Sequence, residues 1–202
     1  TFIRRCGIES VSLRDAMLRV SADEENGSGE EAFLPHALGL CVDTVLAERR
    51  RGVEPDPSTF DLPLGRYAAL ADRFLRSLHD PTAEEWIRQL ARTPRFDNTA
   101  ALAAYSADPG AARTAAWNRL LDFSFVEETT EPGWYRLHSI MVDALTHADP
   151  NAVRRHTEWR DHWRSRSANP TDLFAALAWS HDYALDPKSA GDAWNDLAET
   201  AR

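Results

Sequence analysis

No apolar run in this chain approaches the roughly 20 residues that a membrane-spanning helix requires. No charged and then apolar leader of the secretory type opens it. Cysteine is scarce. Cys6 and Cys41 are the only two, which is too few for a disulfide framework and gives no metal-ligand spacing. Cys41 falls on an apolar helical stripe, where a free thiol acts as a small hydrophobe. Together these absences read as a reducing, cytoplasmic setting. The chain also lacks an initiator methionine, and its opening Thr-Phe-Ile-Arg-Arg reads as the middle of a longer polypeptide. Neither the G-x-x-x-x-G-K-[ST] phosphate loop nor G-x-G-x-x-G is present, so these residues are not expected to hydrolyse a nucleotide by themselves.

What is present describes a globular chain. Its 202 residues are 43% hydrophobic and 27% charged, enough for one or two compact units. Acidic side chains number 32 against 23 basic ones, a net charge of −9. Such a surface repels a phosphate backbone, and a nucleic-acid role would need a concentrated basic patch. Arg49–Arg51 is the densest basic run, and it sits at an expected helix end, where cations complement the helix dipole.

Apolar spacing predicts a helix over Val11–Val20, then a polar loop at 23–31, then a helix from Pro35 that ends in Glu-Arg-Arg-Arg-Gly. Residues 52–63 hold three prolines and no helical period, and they read as a linker. Tyr67, Leu70, Phe74 and Leu78 form the next stripe. Thr82 and Glu85 have the spacing of a capping box for the helix of Trp86, Ile87 and Leu90. Pro94–Asp97 reads as a break, followed by a short helix at Asn98–Tyr105, a turn at Asp-Pro-Gly and a helix over Ala111–Leu121. There the period drops to two: Phe123 and Phe125, a turn at Thr129–Gly133, then Tyr135 and Leu137 describe a hairpin. Helices, a hairpin and a further helix make the order of a winged-helix unit. From Asn151 the chain is helical again, with Val153, His156, Trp159 and Trp163 on one side of the first helix. Short connections between these helices fit the start of an α-solenoid. The expected fold is therefore mainly α: a helical segment at 1–55, a winged helix with one β-hairpin at 64–148, and an antiparallel helical arm at 149–202.

His156, His162 and His181 are spread over two helices without the spacing of a metalloprotease motif. His138, Ser139 and Asp143 hold the residue types of a hydrolase triad, but no glycine elbow presents the serine. Ser139 is better placed to cap the helix Ile140–His147. Six of the seven tryptophans fall on helices and are expected to pack in the interior, leaving Trp134 beside the hairpin turn as the exposed aromatic.

The order of these pieces carries a resemblance. F-L-P-H-A-L-G-L-C-V-D at 33–43 resembles the G-L-P-L-A-L segment of NB-ARC and related STAND ATPases, which are signal-transducing nucleotide switches. R-Y-A-A-L-A-D-R-F-L-R-S-L at 66–78 and W-N-R-L-L-D-F-S-F-V-E at 117–127 are similar to their winged-helix domain. Y-R-L-H-S-I-M-V-D-A-L at 135–145 resembles its end, where the family carries a Met-His-Asp motif.

By that resemblance, Pro35 is expected to pack against the adenine of bound ADP, and His138 to reach its β-phosphate. Leu137 and Ser139 stand where the family has Met and Asp, and Phe33 where it has glycine. The likeness covers about residues 30–147. It implies a regulatory, nucleotide-sensing piece of an ATPase switch, with ADP or ATP as cofactor of the longer protein. It further implies a P-loop domain as partner in cis, a protein partner on the C-terminal helices, and assembly into an oligomer on activation. A winged-helix DNA-binding regulator and a helical interaction scaffold are the alternatives.

Overall fold

The computed structural model describes residues 2–22, 34–62, 67–105, 111–147 and 149–200. The polar run at 23–31, the turn at Asp108–Gly110, Phe33 and Pro63 lie outside them. Within the described residues the chain is mainly helical, with one small three-stranded antiparallel sheet. No described helix is long and apolar enough to cross a membrane.

Helices α1 (Phe2–Arg5) and α2 (Val11–Val20) lead to the long α3 (Pro35–Arg50). Ser10 caps α2 by accepting the Leu13 N–H, and Leu13, Ala16, Met17 and Val20 turn inward at the expected spacing. Helix α3 ends as its sequence predicts, with basic residues and then Gly52 in the left-handed conformation at φ +78°. Arg49 is not a free cation: it grips the Glu54 carboxylate and donates to the Gly7 carbonyl at 2.9 Å. The proline-rich stretch that follows is tied down as far as residue 62. Pro55 and Phe60 are buried, and Pro57–Phe60 forms a 3-10 turn, capped by Asp56, that packs on α2. It is a strap, where a linker was expected.

Next come α4 (Tyr67–Leu78), α5 (Pro81–Leu90), β1 (Phe96–Asp97), α6 (Asn98–Ala104) and α7 (Ala111–Leu121). The hairpin β2 (Val126–Glu128) and β3 (Trp134–Leu137) leads into α8 (Ser139–Thr146). The sheet order β1-β3-β2, with two helices between β1 and β2, is the arrangement of a winged helix. Strand β1 replaces the expected break. At two residues it is too short to show alternation, and it exists because Phe96 and Asp97 pair with Tyr135 and Trp134 on β3. The expected capping box is also corrected. Asp80 caps α5 by accepting the Thr82 and Ala83 N–H groups at 3.0 and 3.1 Å, because Pro81 already opens the helix. Glu85 is therefore released for ion pairs with Arg154 and Arg155.

The arm consists of α9 (Ala152–Arg166), α10 (Leu173–Leu185) and α11 (Pro187–Thr200). Trp159 and Trp163 are buried as expected, but the first turn of α9 differs. Val153 is 71% exposed, and Arg155 is sealed to 2%, held between Glu85 and Asp149. Trp159 and Trp163 stack on each other, and their indole N–H groups donate to the Gln89 carbonyl and the Thr93 hydroxyl of the winged helix. Trp134, expected to be free, packs against Trp163 and Phe174 under the Arg95 guanidinium. The arm is thus docked on the sheet through aromatics.

Helix α3 docks on the other side. Phe74 of α4 meets Phe123 and Phe125 edge-on at 5.1 and 5.2 Å, which forms the floor beneath the hairpin. Over that floor, the Asp43 carboxylate accepts both the backbone N–H and the hydroxyl of Ser124, at 2.9 and 2.7 Å. One turn earlier Gly39 faces the same serine. A Cβ there would stand 2.5 Å from its Oγ and 2.7 Å from its Cβ, so only glycine admits this approach.

Burial pushes the Asp43 carboxyl up to about 6, against the pull of the two Ser124 hydrogen bonds and the Arg50 charge, and with a further push from Asp122. The ordinary value is 3.8, so between about pH 4 and 6 the folded chain holds a proton that the unfolded chain has released. The contribution of Asp43 to stability is therefore complete below that window and is lost as the pH rises through it. Its full span is up to about 3 kcal/mol. Asp43→Asn keeps a carbonyl acceptor for Ser124 and removes the titration. Urea unfolding from pH 4 to 7 should show a flatter stability profile in the variant, and an unaltered slope would contradict the assignment. Gly39→Ala would ordinarily gain about 1 kcal/mol in a helix interior. Here it is expected to lose about 1–3 kcal/mol through overpacking, with Ser124→Gly in the same chain partly reversing the loss in a double-mutant cycle.

Candidate functional site

The change of period that marks His138 in the sequence is a bend between β3 and α8. The His138 backbone N–H donates to the Phe125 carbonyl at 2.8 Å, which fixes the residue at the end of the sheet. Its Nδ1 accepts the Ile140 N–H at 3.3 Å, so His138 itself caps α8. Ser139, expected as the cap, is instead the first helical residue and is exposed. The bend sets this outcome. The strand delivers His138 with extended-type backbone, and only that residue can turn its side chain onto the first free N–H groups. Both ring nitrogens face away from a triad: Nδ1 meets Ile140, and Nε2 lies 4.0 Å from Glu127 Oε1. Ser139, His138 and Asp143 therefore do not assemble as nucleophile, base and acid.

Pro35 occupies the first turn of α3, exposed, with Leu34 before it supplying no side-chain cap. Its neighbour His36 lies face to face on His138, with ring centroids 3.4 Å apart and planes inclined by 27°. Docking of α3 on the hairpin thus sets His36, the residue after Pro35, on the His138 ring. His36 Nε2 stands 3.8 Å from the same Glu127 oxygen. On the other oxygen, Glu127 Oε2 accepts from Arg136 Nε at 3.0 Å, a cross-strand pair in direct register. Burial holds the His138 imidazole below its ordinary pKa, helped by His36 and Arg136 and opposed by Glu127.

From this seam a cleft of about 570 Å³ runs down to the arm, lined by Arg92, Arg136, His138, Asp143, His156 and His181 among others. At its far wall the Nδ1 atoms of His156 and His181 are 3.0 Å apart, so one donates and the other accepts. Burial, with the neighbouring His156, pushes His181 down to about 3, which keeps it neutral. Arg92 is committed to Asp149 and the Thr146 carbonyl.

His36 and Glu127 escape a reading of the sequence. His36 stands within the Leu-Pro-His-Ala-Leu segment, and Glu127 is one of two acids that follow Val126. Neither carries a spacing signal, because they meet His138 only through contacts between distant elements. Replacing His138 tests the local geometry. His138→Ala should lose about 1 kcal/mol of stability with the α8 cap, and His138→Asn, which retains a short side-chain acceptor, should recover most of it in thermal unfolding. An asparagine variant no more stable than the alanine variant would contradict the capping role.

Comparison with protein-family models, with curated proteins and with solved structures finds no match for this chain.

Proposed function

We propose that residues 34–147 are the regulatory, nucleotide-sensing part of a STAND-type ATPase switch, acting in the cytoplasm beside a P-loop domain in cis. One observation supports this reading: the first turn of α3, which Pro35 opens, lies against the His138 seam through the 3.4 Å stack of His36 on His138, and an open cleft lined by His138 adjoins that seam. The chemistry suits an anion. With Nδ1 accepting from Ile140, a neutral His138 carries its proton on Nε2, toward the cleft, as a donor for a phosphate oxygen. The first turn of α3, which has no side-chain cap, adds free N–H groups and the positive end of its dipole, and α8 adds the positive end of its own. Glu127 opposes an anion there, and its partner Arg136 is positioned to draw it aside.

In this reading ADP holds α3 against the winged helix, and exchange for ATP lets the two part. The contacts that must yield are the Asp43–Ser124 clamp and the strap at 53–62. The C-terminal helices then receive a protein partner, and release of the winged helix exposes the surface for assembly into an oligomer. A scaffold role for the arm draws on a separate observation, the half-exposed Tyr183 and Trp194 flanking Trp179 on α10 and α11. A DNA-binding reading draws on the winged-helix order alone. Helix α7, at the recognition position, carries only Arg113 and Arg119 as basic residues in a chain of charge −9.

The test requires a polypeptide that joins these residues to the phosphate-binding loop. ADP retention after gel filtration should fall at least tenfold in His138→Ala and less in Pro35→Ala, with basal activity rising in both. Unchanged retention in His138→Ala removes the sensor role.

A further inference from the structure

Three ligand-bearing side chains from three separate elements converge beside the cleft: His36 from the first turn of α3, Glu127 from β2, and His138 from the β3–α8 bend. One ligand atom from each, a ring nitrogen of His36 and of His138 and a carboxylate oxygen of Glu127, lies within 4.8 Å of the other two. We propose that His36, Glu127 and His138 form a binding site for a first-row divalent cation of the zinc class. The proposal is independent of the nucleotide reading and needs no nucleotide.

Chemistry selects the ion. Two imidazoles and one carboxylate suit Zn²⁺, Co²⁺ or Ni²⁺, whereas Mg²⁺ and Ca²⁺ require oxygen-rich sites. The Glu127 carboxylate is already oriented for the task. Arg136 holds Oε2, which leaves Oε1 facing both ring nitrogens at 3.8 and 4.0 Å. Outer partners of this kind fix the direction of a ligating carboxylate. Ligand atoms about a tetrahedral zinc lie about 3.3 Å apart, so Glu127 Oε1 and the two ring nitrogens must draw together by about half an ångström or more. The stacked rings must also unstack, since parallel imidazoles cannot both aim a lone pair at one ion. His36 has the freedom to do so, because its side chain is 37% exposed and it stands at a helix start. Three protein ligands leave further positions to water or to a small anion, as in an open site.

The site has one necessary side effect. A metal on His138 Nε2 requires the ring proton on Nδ1, and that proton meets the Ile140 N–H in place of an acceptor. Metal binding therefore releases the α8 cap, and a cation and a phosphate use the same Nε2 in mutually exclusive states.

Cobalt titration of the 202-residue chain, followed by visible absorption, and zinc titration by calorimetry test the site. The expected result is one ion per chain with micromolar or tighter affinity, and a cobalt spectrum of four- or five-coordinate intensity. His36→Ala, Glu127→Gln and His138→Asn should each weaken binding by about tenfold or more, with circular dichroism confirming that each variant is folded. The Ile140 amide resonance should shift on zinc addition. His156→Ala should leave affinity unaltered. Absence of one-to-one binding at millimolar ion overturns the proposal. So does affinity that survives all three ligand variants, or that follows His156 and His181 instead.

Discussion

The buried carboxylate of Asp43 is the constraint on which the seam at His138 depends. By accepting two hydrogen bonds from Ser124, it ties the middle of α3 to the root of the hairpin, across 81 positions of sequence. Gly39 makes the approach close enough for those bonds, and the aromatic floor of Phe74, Phe123 and Phe125 keeps the hairpin rigid beneath them. With α3 held at that point, its first turn can reach only one place on the winged helix, which is the face of His138. The clamp has a cost. Burial favours the neutral carboxyl while the two Ser124 hydrogen bonds favour the ionised one, and burial prevails, so the fold loses stability as Asp43 ionises.

The opposite side is built differently. The arm is joined by stacked indoles, each with its N–H satisfied, and by Arg155 spanning Glu85 and Asp149. Removing one member of such a buried group strands the others without a partner, so the contact resists piecemeal loosening. The winged helix therefore has one contact that titrates, with α3, and one that is fixed, with the arm. His138 stands between them at a bend whose backbone is bonded to the sheet and whose ring caps the next helix.

Much of this architecture was legible from local pattern. The helices Val11–Val20 and Ala111–Leu121 have the bounds that their apolar spacing predicts, and a hairpin follows as expected, although Phe123 and Phe125 form the turn before β2 and not its alternation. The misses share a cause. Strand β1 is two residues long and owes its existence to β3. Asp80 displaced Thr82 as a cap because Pro81 had already begun the helix. Arg155 carries no sequence signal of burial, because Asp149 is near in sequence but Glu85 reaches it only where α5 meets α9. At the site, Pro35 and His138 carry sequence signals, whereas His36 and Glu127 become neighbours solely through the docking of α3. Local rules find what a segment does alone. They are silent on what two segments make together.

The claim that the Asp43 clamp sets His36 on His138 is tested most directly by nuclear Overhauser contacts between the two imidazole rings. The 3.4 Å stack predicts strong cross-peaks between their carbon-bound protons in the unmodified chain, and their weakening in Ser124→Ala, where the hydroxyl half of the clamp is gone. Ring protons of His36 and His138 that show no contact in the unmodified, folded chain would contradict the account.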